Sequence, residues 1–182
     1  MKADTRKQIQ QCKKCSLHNN QPPLLDKKSK ADVIWVGLSA VKVEDVSQTT
    51  PLSQCTRSGE LISKIEDSIN SIEFYKTNLV KCLPIEHDKI RYPNQREMSC
   101  CHEHLQRELK EYKPKIVFLL GKQVAEFVIG SKKILSFKPL RKDNITYVPI
   151  HHPSYMLVYK RKKIRSYVSK ISKAIKEATV SF

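Results

Sequence analysis

The chain has 182 residues, of which 40% are hydrophobic, so it is not intrinsically disordered and we expect one globular domain over residues 1–182. Its 34 Lys and Arg against 18 Asp and Glu give a formal net charge of +16, which favours a polyanionic partner such as nucleic acid. No long apolar span, lipidation motif or secretory signal is found. We therefore expect a cytoplasmic protein with reduced cysteines and no membrane association.

The first element along the chain is the Cys12-Lys-Lys-Cys15 pair. This spacing lets both sulfurs bind one metal, but it also occurs in zinc ribbons and redox dithiols. Residues 19–31 follow as a predicted loop, in which Pro22 and Pro23 end any helix that carries the two cysteines.

Four short apolar runs predict buried strands. They cover residues 33–37, 74–80, 115–121 and 145–150, with Pro149 interrupting the last. Helical spacing of apolar residues is found between these runs.

The predicted helices cover residues 58–71, 97–111 and 122–129, and a long basic helix is predicted from residue 155 to about 178. Alternating strands and helices predict a three-layer α/β/α sandwich with a central, mainly parallel four-stranded sheet. Ligands of such folds bind at the carboxyl ends of the strands, so the segments after each strand are candidate site segments.

A metal centre would need two more thiolates besides Cys12 and Cys15. The candidates are Cys82, directly after the second predicted strand, and Cys100 or Cys101, at the start of the second predicted helix. Four thiolates suit a [4Fe–4S] cluster or tetrahedral zinc, and the spacing alone does not choose between them. The alternative is a set of buried thiols that pack as small hydrophobic side chains.

Seven short segments between Cys12 and Ser154 form an ordered series. They are Cys12-x-x-Cys15-x-Leu17, Val36–Ala40, Pro51–Leu52 with Arg57–Leu61, Thr77–Cys82, Glu97-x-x-x-Cys101-x-x-x-Leu105, Leu120–Ala125 and His152-Pro153-Ser154. This series resembles the uracil-DNA glycosylase superfamily, above all its iron–sulfur branches, families 4 and 5. The T-N-x-V-K-C segment and the H-P-S segment, in this order and with four matched cysteines, are its most specific parts.

The resemblance implies the same α/β/α sandwich, a role in DNA repair, and a uracil that is flipped out of the base stack. It implies a structural [4Fe–4S] cluster, in preference to zinc, held by Cys12, Cys15, Cys82 and Cys101. The E-x-x-x-C-x-x-x-L segment selects Cys101 over Cys100.

The implied reaction is hydrolysis of the N-glycosidic bond of uracil or a related deaminated base. By the resemblance, Asn78 binds the base edge, because an amide offers both a donor and an acceptor. His152 would donate a hydrogen bond to the base O2 and stabilise the departing anion. The other implied pocket residues are Gly37, Leu38, Ser39 and Leu52.

The chain departs from the family pattern at residues that would activate water or stack on the base. Leu38 stands in place of an acid, Thr56 in place of an aspartate found in other members, and Leu52 in place of a stacking aromatic residue. Glu44 and Asp45 lie nearby and are candidate water-positioning acids, although a solvated loop acid is the simpler interpretation of each. These departures leave open a catalytically weak or inactive module that binds DNA, including single-stranded DNA.

Basic residues near the H-P-S segment are expected to bind DNA phosphates. They are Arg57, Lys160, Arg161 and Lys162. We expect Ser154 to cap the following helix or to contact a phosphate. Further expectations are a monomer and, from charge alone, binding of an acidic DNA-mimicking inhibitor. A zinc-containing RNA-binding protein is a third interpretation.

Overall fold

The computed structural model describes residues 3–180. The strands are β1 Val33–Ser39, β2 Phe74–Val80, β3 Ile85–Glu86, β4 Lys89–Ile90, β5 Ile116–Leu120, β6 Leu140–Lys142 and β7 Ile145–Ile150. The α-helices are α1 Ala3–Gln10, α2 Arg57–Asp67, α3 Gln95–Tyr112, α4 Lys122–Ile129, α5 Pro153–Tyr159 and α6 Ile164–Val180. Short 3-10 helices cover Ser16–Asn19 and Arg161–Lys163.

A five-stranded sheet in the order β2-β1-β5-β7-β6 forms the centre of the fold. Its first four strands are parallel, and only β6 runs antiparallel, to its neighbour β7. The chain passes from β1 outward to β2 and later returns to β5 on the other side of β1. The direction of winding therefore reverses there, which opens a crevice at the carboxyl ends of β1 and β5.

Apolar clusters cover both faces of this sheet. Along β1, Val36 joins a cluster that contains Leu105 of α3 and Val124 of α4, while Trp35 joins a cluster that contains Ile62 of α2 and Ile171 of α6. Successive side chains of a strand point to opposite faces, so both faces of β1 are buried. The predicted three-layer α/β/α sandwich is confirmed.

The sheet has five strands where the sequence predicted four. The additional strand, β6, is exposed at each of its three residues, so no apolar run marks it. It forms a hairpin with β7 through Asp143 and Asn144, which both have positive φ angles (52° and 62°) suited to a tight turn. An exposed edge strand with two basic residues has no periodicity that distinguishes it from a loop.

The long C-terminal helix predicted for residues 155–178 is divided in two. Helix α5 ends at Tyr159, Lys160 has non-helical angles (φ −132°, ψ 33°), and α6 begins at Ile164. A continuous helix would place Lys160 and Lys163 on the face that buries Met156 and Tyr167. The break leaves both lysines exposed to solvent and so avoids burying their charges.

The cysteine-bearing segments also differ from the predicted helices. Helix α1 ends at Gln10, so Cys12 and Cys15 lie in the turn that follows it. Helix α3 begins two residues earlier than predicted, after a capping box formed by Asn94 and Glu97, so Cys101 lies in its second turn. Among the described residues, no helix has the length and apolar character needed to cross a membrane.

Candidate functional site

The carboxyl ends of β1 and β2 place Gly37 and Asn78 side by side in the sheet register. A Cβ atom at Gly37 would lie 2.3 Å from the Asn78 Oδ1, so only glycine leaves room for the amide. Asn78 is 3% exposed, and its side-chain amide makes no hydrogen bond to any other residue between 3 and 180. The donor and acceptor of this amide are therefore available to a ligand.

Leu52 forms a second wall beside Gly37. Its Cδ2 would lie 3.6 Å from a Cβ atom at Gly37, and its φ angle of +52° costs a non-glycine residue about 1–2 kcal/mol. The first turn of α2 presses on this loop: a Cβ atom at Gly59 would lie 2.0 Å from the Ser53 carbonyl oxygen. Thr56 caps α2 by accepting the Gly59 N–H, so this threonine has a structural role.

His152 lies directly after β7 and is the N-cap of α5. Its Nδ1 accepts the Ser154 backbone N–H at 3.2 Å and lies 2.8 Å from the Ser154 Oγ. Because Nδ1 accepts, the proton of the neutral ring is on Nε2, which is then a hydrogen-bond donor. Burial lowers the pKa of His152 and favours this neutral form. Helix capping is thus done by His152, and Ser154 orients the ring.

Gly121 and Gln21 also shape the site, and the sequence analysis assigned neither of them a role in it. Gly121 follows β5 with φ +96°, and a Cβ atom there would lie 3.6 Å from the His152 Cβ. Gln21 is buried and fixes the loop after β1, because its amide donates to the Val41 carbonyl and accepts the Val43 N–H, each at 3.1 Å. The only sequence signal at Gln21 is a polar residue before two prolines.

The candidate acids lie on the loop after β1, which begins beyond Leu38 and Ser39. Leu38 packs against the cluster formed with α3 and α4, and Ser39 is partly buried. Glu44 and Asp45 are exposed, and within residues 3–180 neither hydrogen-bonds to the Asn78 or His152 side chain. Asp45 accepts the Ser47 hydroxyl (2.6 Å) and N–H (2.7 Å), and these hydrogen bonds lower its pKa. Its carboxylate is thereby engaged in a turn.

A buried ion pair lies beneath Asn78. The Lys81 Nζ donates to the Glu108 Oε2 at 2.5 Å, to the Thr77 Oγ1 at 2.6 Å and to the Asn78 carbonyl at 2.7 Å. The Tyr75 hydroxyl donates to the other Glu108 oxygen at 2.8 Å. Lys81 and Glu108 are 1% and 0% exposed. This network connects β2 to α3, and its only sequence signal is Glu108 between apolar positions of the predicted helix.

Five cysteines line one small cavity between the N-terminal turn, the end of β2 and α3, namely Cys12, Cys15, Cys82, Cys100 and Cys101. The Cys101 Sγ accepts the Lys81 backbone N–H at 3.3 Å. Burial raises the pKa of Cys82 to about 12 and also raises that of Cys101 and Cys15. Metal binding would therefore have to displace protons from these thiols.

His104 lines the same cavity and is buried. Neither of its ring nitrogens has a hydrogen-bond partner in the described part of the chain, and burial lowers its pKa to about 4. Buried polar groups are ordinarily paired, so an unpaired imidazole fits beside a group that carries acceptor sulfurs.

Over residues 3–180, no three His, Cys, Asp or Glu side chains are arranged to hold a single metal ion. A [4Fe–4S] cluster demands a wider arrangement, because each thiolate binds a different iron atom. The cysteines around one cavity fit a cluster in this respect. Cluster binding and the choice of Cys101 over Cys100 both stay predictions.

The predicted DNA-binding cations lie on the surface near the site. Arg57 is exposed at the start of α2, and Lys160, Arg161 and Lys162 are exposed at the break between α5 and α6. Within the described residues none of the four forms an ion pair with a carboxylate. Cys55 is exposed in the loop before α2 and does not line the cysteine cavity.

Comparisons with known proteins identify relatives of the whole fold. Residues 25–176 match the family model described as the uracil DNA glycosylase superfamily. A type-4 uracil-DNA glycosylase of Archaeoglobus fulgidus is 27% identical over 131 residues, 70% of this chain and 63% of that protein. One of Saccharolobus solfataricus is 24% identical over 193 residues, 98% of this chain and 85% of that protein.

A third type-4 enzyme, of Sulfurisphaera tokodaii, is 26% identical over 164 residues, 87% of this chain and 68% of that protein. Among solved structures, wild-type SMUG2 of Pedobacter heparinus has a TM-score of 0.58 at 15% identity, covering 84% of this chain and 77% of that chain. The structural likeness supports the fold, and the family model spans most of the chain. The protein belongs to the uracil DNA glycosylase superfamily.

Proposed function

We propose that this protein binds DNA and releases uracil, or a related deaminated base, by hydrolysing the N-glycosidic bond. The observation that carries the proposal is the buried Asn78 amide, which lies over Gly37 and has no hydrogen-bond partner within residues 3–180. The donor and the acceptor of this amide are available, so the site suits a ligand that offers the complementary groups. All three relatives described above are named uracil-DNA glycosylases, which does not favour an inactive module.

The hydrogen bonds that Asn78 and His152 offer match the needs of uracil. An amide presents a donor to the base O4 and an acceptor to the base N3–H, so Asn78 can pair with the edge of uracil. The neutral His152 donates through Nε2–H to the base O2, where negative charge develops as the bond breaks. Leu52 covers the base without providing an aromatic face.

The site has few side chains that could activate the attacking water. Thr56 is occupied by capping α2, Leu38 by core packing and Asp45 by its turn with Ser47. Glu44, exposed on the same loop, is the remaining candidate of the predicted acids. Most of the rate would then come from stabilising the leaving base, with slower turnover than a site with a fixed general base.

The test uses cluster-loaded protein and labelled oligonucleotides that carry one uracil, single-stranded or paired with guanine or adenine. Alkali then cleaves each abasic site, and the products are counted by electrophoresis. We expect strand cleavage only where uracil was present, and none with the matched thymine oligonucleotide. Tight binding without release, even at protein concentrations equal to the DNA, would contradict the proposed reaction.

The rate of release should depend on the protonation of His152. Burial lowers its pKa, so in the folded protein the ring gains its second proton only below the ordinary value of about 6.5. That proton would go to Nδ1 and replace the hydrogen bond from the Ser154 N–H with a repulsion between two donors. We expect a single-turnover rate that is flat near neutral pH and falls through a midpoint below 6.5. A midpoint at or above 6.5 would contradict the role given to neutral His152. In His152→Asn the rate should no longer fall at low pH through this midpoint.

We also propose that Cys12, Cys15, Cys82 and Cys101 hold a [4Fe–4S] cluster. When bound, the cluster supplies a crosslink between the N-terminal turn, the end of β2 and α3. These four residues and the unpaired His104 are the groups that the chain contributes to it.

Cys82→Ser and Cys101→Ser should each purify with much less iron and without broad visible absorption, because each removes one of four ligands. Cys55→Ser is the matched control and should keep its iron, since Cys55 does not line the cavity. Iron and acid-labile sulfide per protein give the measurement. A full iron content in Cys101→Ser together with a loss of iron in Cys100→Ser would show that Cys100, and not Cys101, is the fourth ligand.

Phosphate contacts are proposed for Arg57, Lys160, Arg161 and Lys162, which are exposed around the site. The monomeric state, the cytoplasmic location and the binding of an acidic inhibitor stay predictions.

A further inference from the structure

Helix α5 carries a row of aromatic side chains that begins beside His152. The ring centroids of His151 and Tyr155 are 5.1 Å apart, and those of Tyr155 and Tyr159 are 5.3 Å apart, with interplanar angles of 33° and 40°. Tyr155 and Tyr159 are spaced four apart and so lie on one face of α5, and His151 stacks beside Tyr155 from the residue before the N-cap. We call them the aromatic row.

Packing of the protein does not account for this row. Helix α5 buries Pro153 and Met156, whereas Tyr155 is 38% exposed and Tyr159 is 71% exposed. Within residues 3–180 neither tyrosine hydroxyl donates or accepts a hydrogen bond. The start of the row is fixed, because the Tyr167 hydroxyl of α6 donates to the His151 carbonyl at 2.7 Å. Exposed neighbouring aromatic rings of this kind commonly mark a binding surface.

The charge around the row points to nucleic acid as its partner. From residue 144 to residue 176 the chain has no Asp or Glu. The cations in this stretch are Lys160, Arg161, Lys162, Lys163, Arg165, Lys170, Lys173 and Lys176. The first five directly follow the row, are exposed, and pair with no carboxylate in the described part of the chain. Lysine is depleted at protein–protein interfaces, so a phosphate backbone fits this surface better than a protein does.

We propose that the aromatic row binds unpaired bases of single-stranded DNA by stacking, while the adjacent cations hold the phosphates. Only unpaired bases offer free faces, because the faces in a duplex are covered by neighbouring base pairs. Exposed aromatic side chains beside a basic track are the usual means of binding single strands without sequence preference. The row starts at His151, so bases held there would be next to the nucleotide in the Asn78 and His152 pocket. This inference rests on the proposed DNA-binding function.

Binding is measured by fluorescence anisotropy with uracil-free DNA, so that excision plays no part. Tyr155→Ala/Tyr159→Ala should weaken single-strand binding by about tenfold or more, since both stacking surfaces are lost. Duplex binding should change little, and the salt dependence should stay the same because no charge is removed. Tyr155→Phe/Tyr159→Phe keeps both rings and should bind like the wild type.

Two further variants distinguish the effect of stacking from the effect of charge and from a nonspecific loss of affinity. Tyr92→Ala removes another exposed tyrosine (77%) that lies outside the row and should leave single-strand binding unchanged. Lys162→Ala/Lys163→Ala should weaken binding to both DNA forms and reduce the salt dependence by about two phosphate contacts. Circular dichroism confirms that each variant is folded.

Wild-type affinity of Tyr155→Ala/Tyr159→Ala for single strands would overturn the inference, as would an equal loss on single strands and duplex. Failure of the wild-type protein to bind any DNA would instead overturn the proposed function. If the protein excises uracil but its affinity for single strands does not depend on the two tyrosines, the proposed function stands. Only the inference about the aromatic row then fails.

Discussion

Asn78→Ala is expected to lower the single-turnover rate of uracil release by about 100- to 1,000-fold, the usual effect of removing a hydrogen-bonding group from the charge-developing part of a site. The amide is buried over Gly37 and available for hydrogen bonding to a ligand, so its loss removes the group that recognises the base edge. The fold should survive, because within residues 3–180 the amide supports no other residue. Release is measured with the alkali assay on single-uracil oligonucleotides.

Two companion variants make this prediction specific. Gly37→Ala leaves Asn78 in place but puts a Cβ atom 2.3 Å from its Oδ1, so the amide must move and release should also fall. Asn70→Ala, at an exposed asparagine after α2, is the matched control and should react like the wild type. Wild-type release by Asn78→Ala would refute the role of the amide. Loss of release in all three variants would indicate a general loss of structure.

Glu108→Leu is expected to lower the free energy of unfolding by about 3–5 kcal/mol, because it leaves the buried Lys81 ammonium without its counter-charge. The same change removes the acceptor of the Tyr75 and Thr77 hydroxyls. Lys81→Met should cost a similar amount by leaving the Glu108 carboxylate unpaired. Urea or guanidinium unfolding, followed by circular dichroism, gives the measurement.

The double variant Lys81→Met/Glu108→Leu should recover part of the loss, because no buried charge remains. The matched control is Lys64→Met/Glu60→Leu, which replaces an exposed pair four residues apart on α2 and should change stability much less than either buried single variant. If Glu108→Leu is no more damaging than this surface control, the buried pair does not stabilise the fold.

The position of this pair also ties the two candidate sites together. Lys81 donates through Nζ to the Asn78 carbonyl and through its backbone N–H to the Cys101 Sγ. One residue thus contacts both the base-binding strand and a proposed cluster ligand. Lys81→Met removes the Nζ bond to the Asn78 carbonyl and should therefore reduce uracil release, whereas it keeps the backbone N–H that Cys101 accepts. Lys64→Met, at an exposed lysine of α2, should not reduce release.

The elements that were predicted well are those whose own side chains carry the signal. Strands β1, β2, β5 and β7 are buried on both faces, so they appear in the sequence as nearly continuous apolar runs. Strand β6 is exposed at each of its residues, so it has no apolar run and was not predicted. The C-terminal segment reads as one helix because both halves have helical periodicity, although burying Lys160 and Lys163 would be too costly.

The residues of the candidate site also differ in how much of their role a local sequence pattern reveals. Asn78, His152 and the four cysteines are predicted site residues from the sequence, because each belongs to a short motif whose residues are neighbours along the chain. The role of Thr56 as a helix cap, the turn that engages Asp45, and the orientation of the His152 ring were visible only from hydrogen bonds in the structure. These contacts explain why some motif positions do not carry the expected catalytic groups.

The sequence alone was sufficient for the family and the layered α/β architecture, since both depend on local motifs and on the periodicity of apolar side chains. Tertiary structure was needed for the Lys81–Glu108 pair, for the aromatic row on α5 and for the fit of Gly37 against Asn78. Lys81 and Glu108 are 27 residues apart, and no local pattern tells whether such a pair is buried or solvated. Burial and pairing are properties of the packed chain, because they depend on which distant surfaces exclude water together.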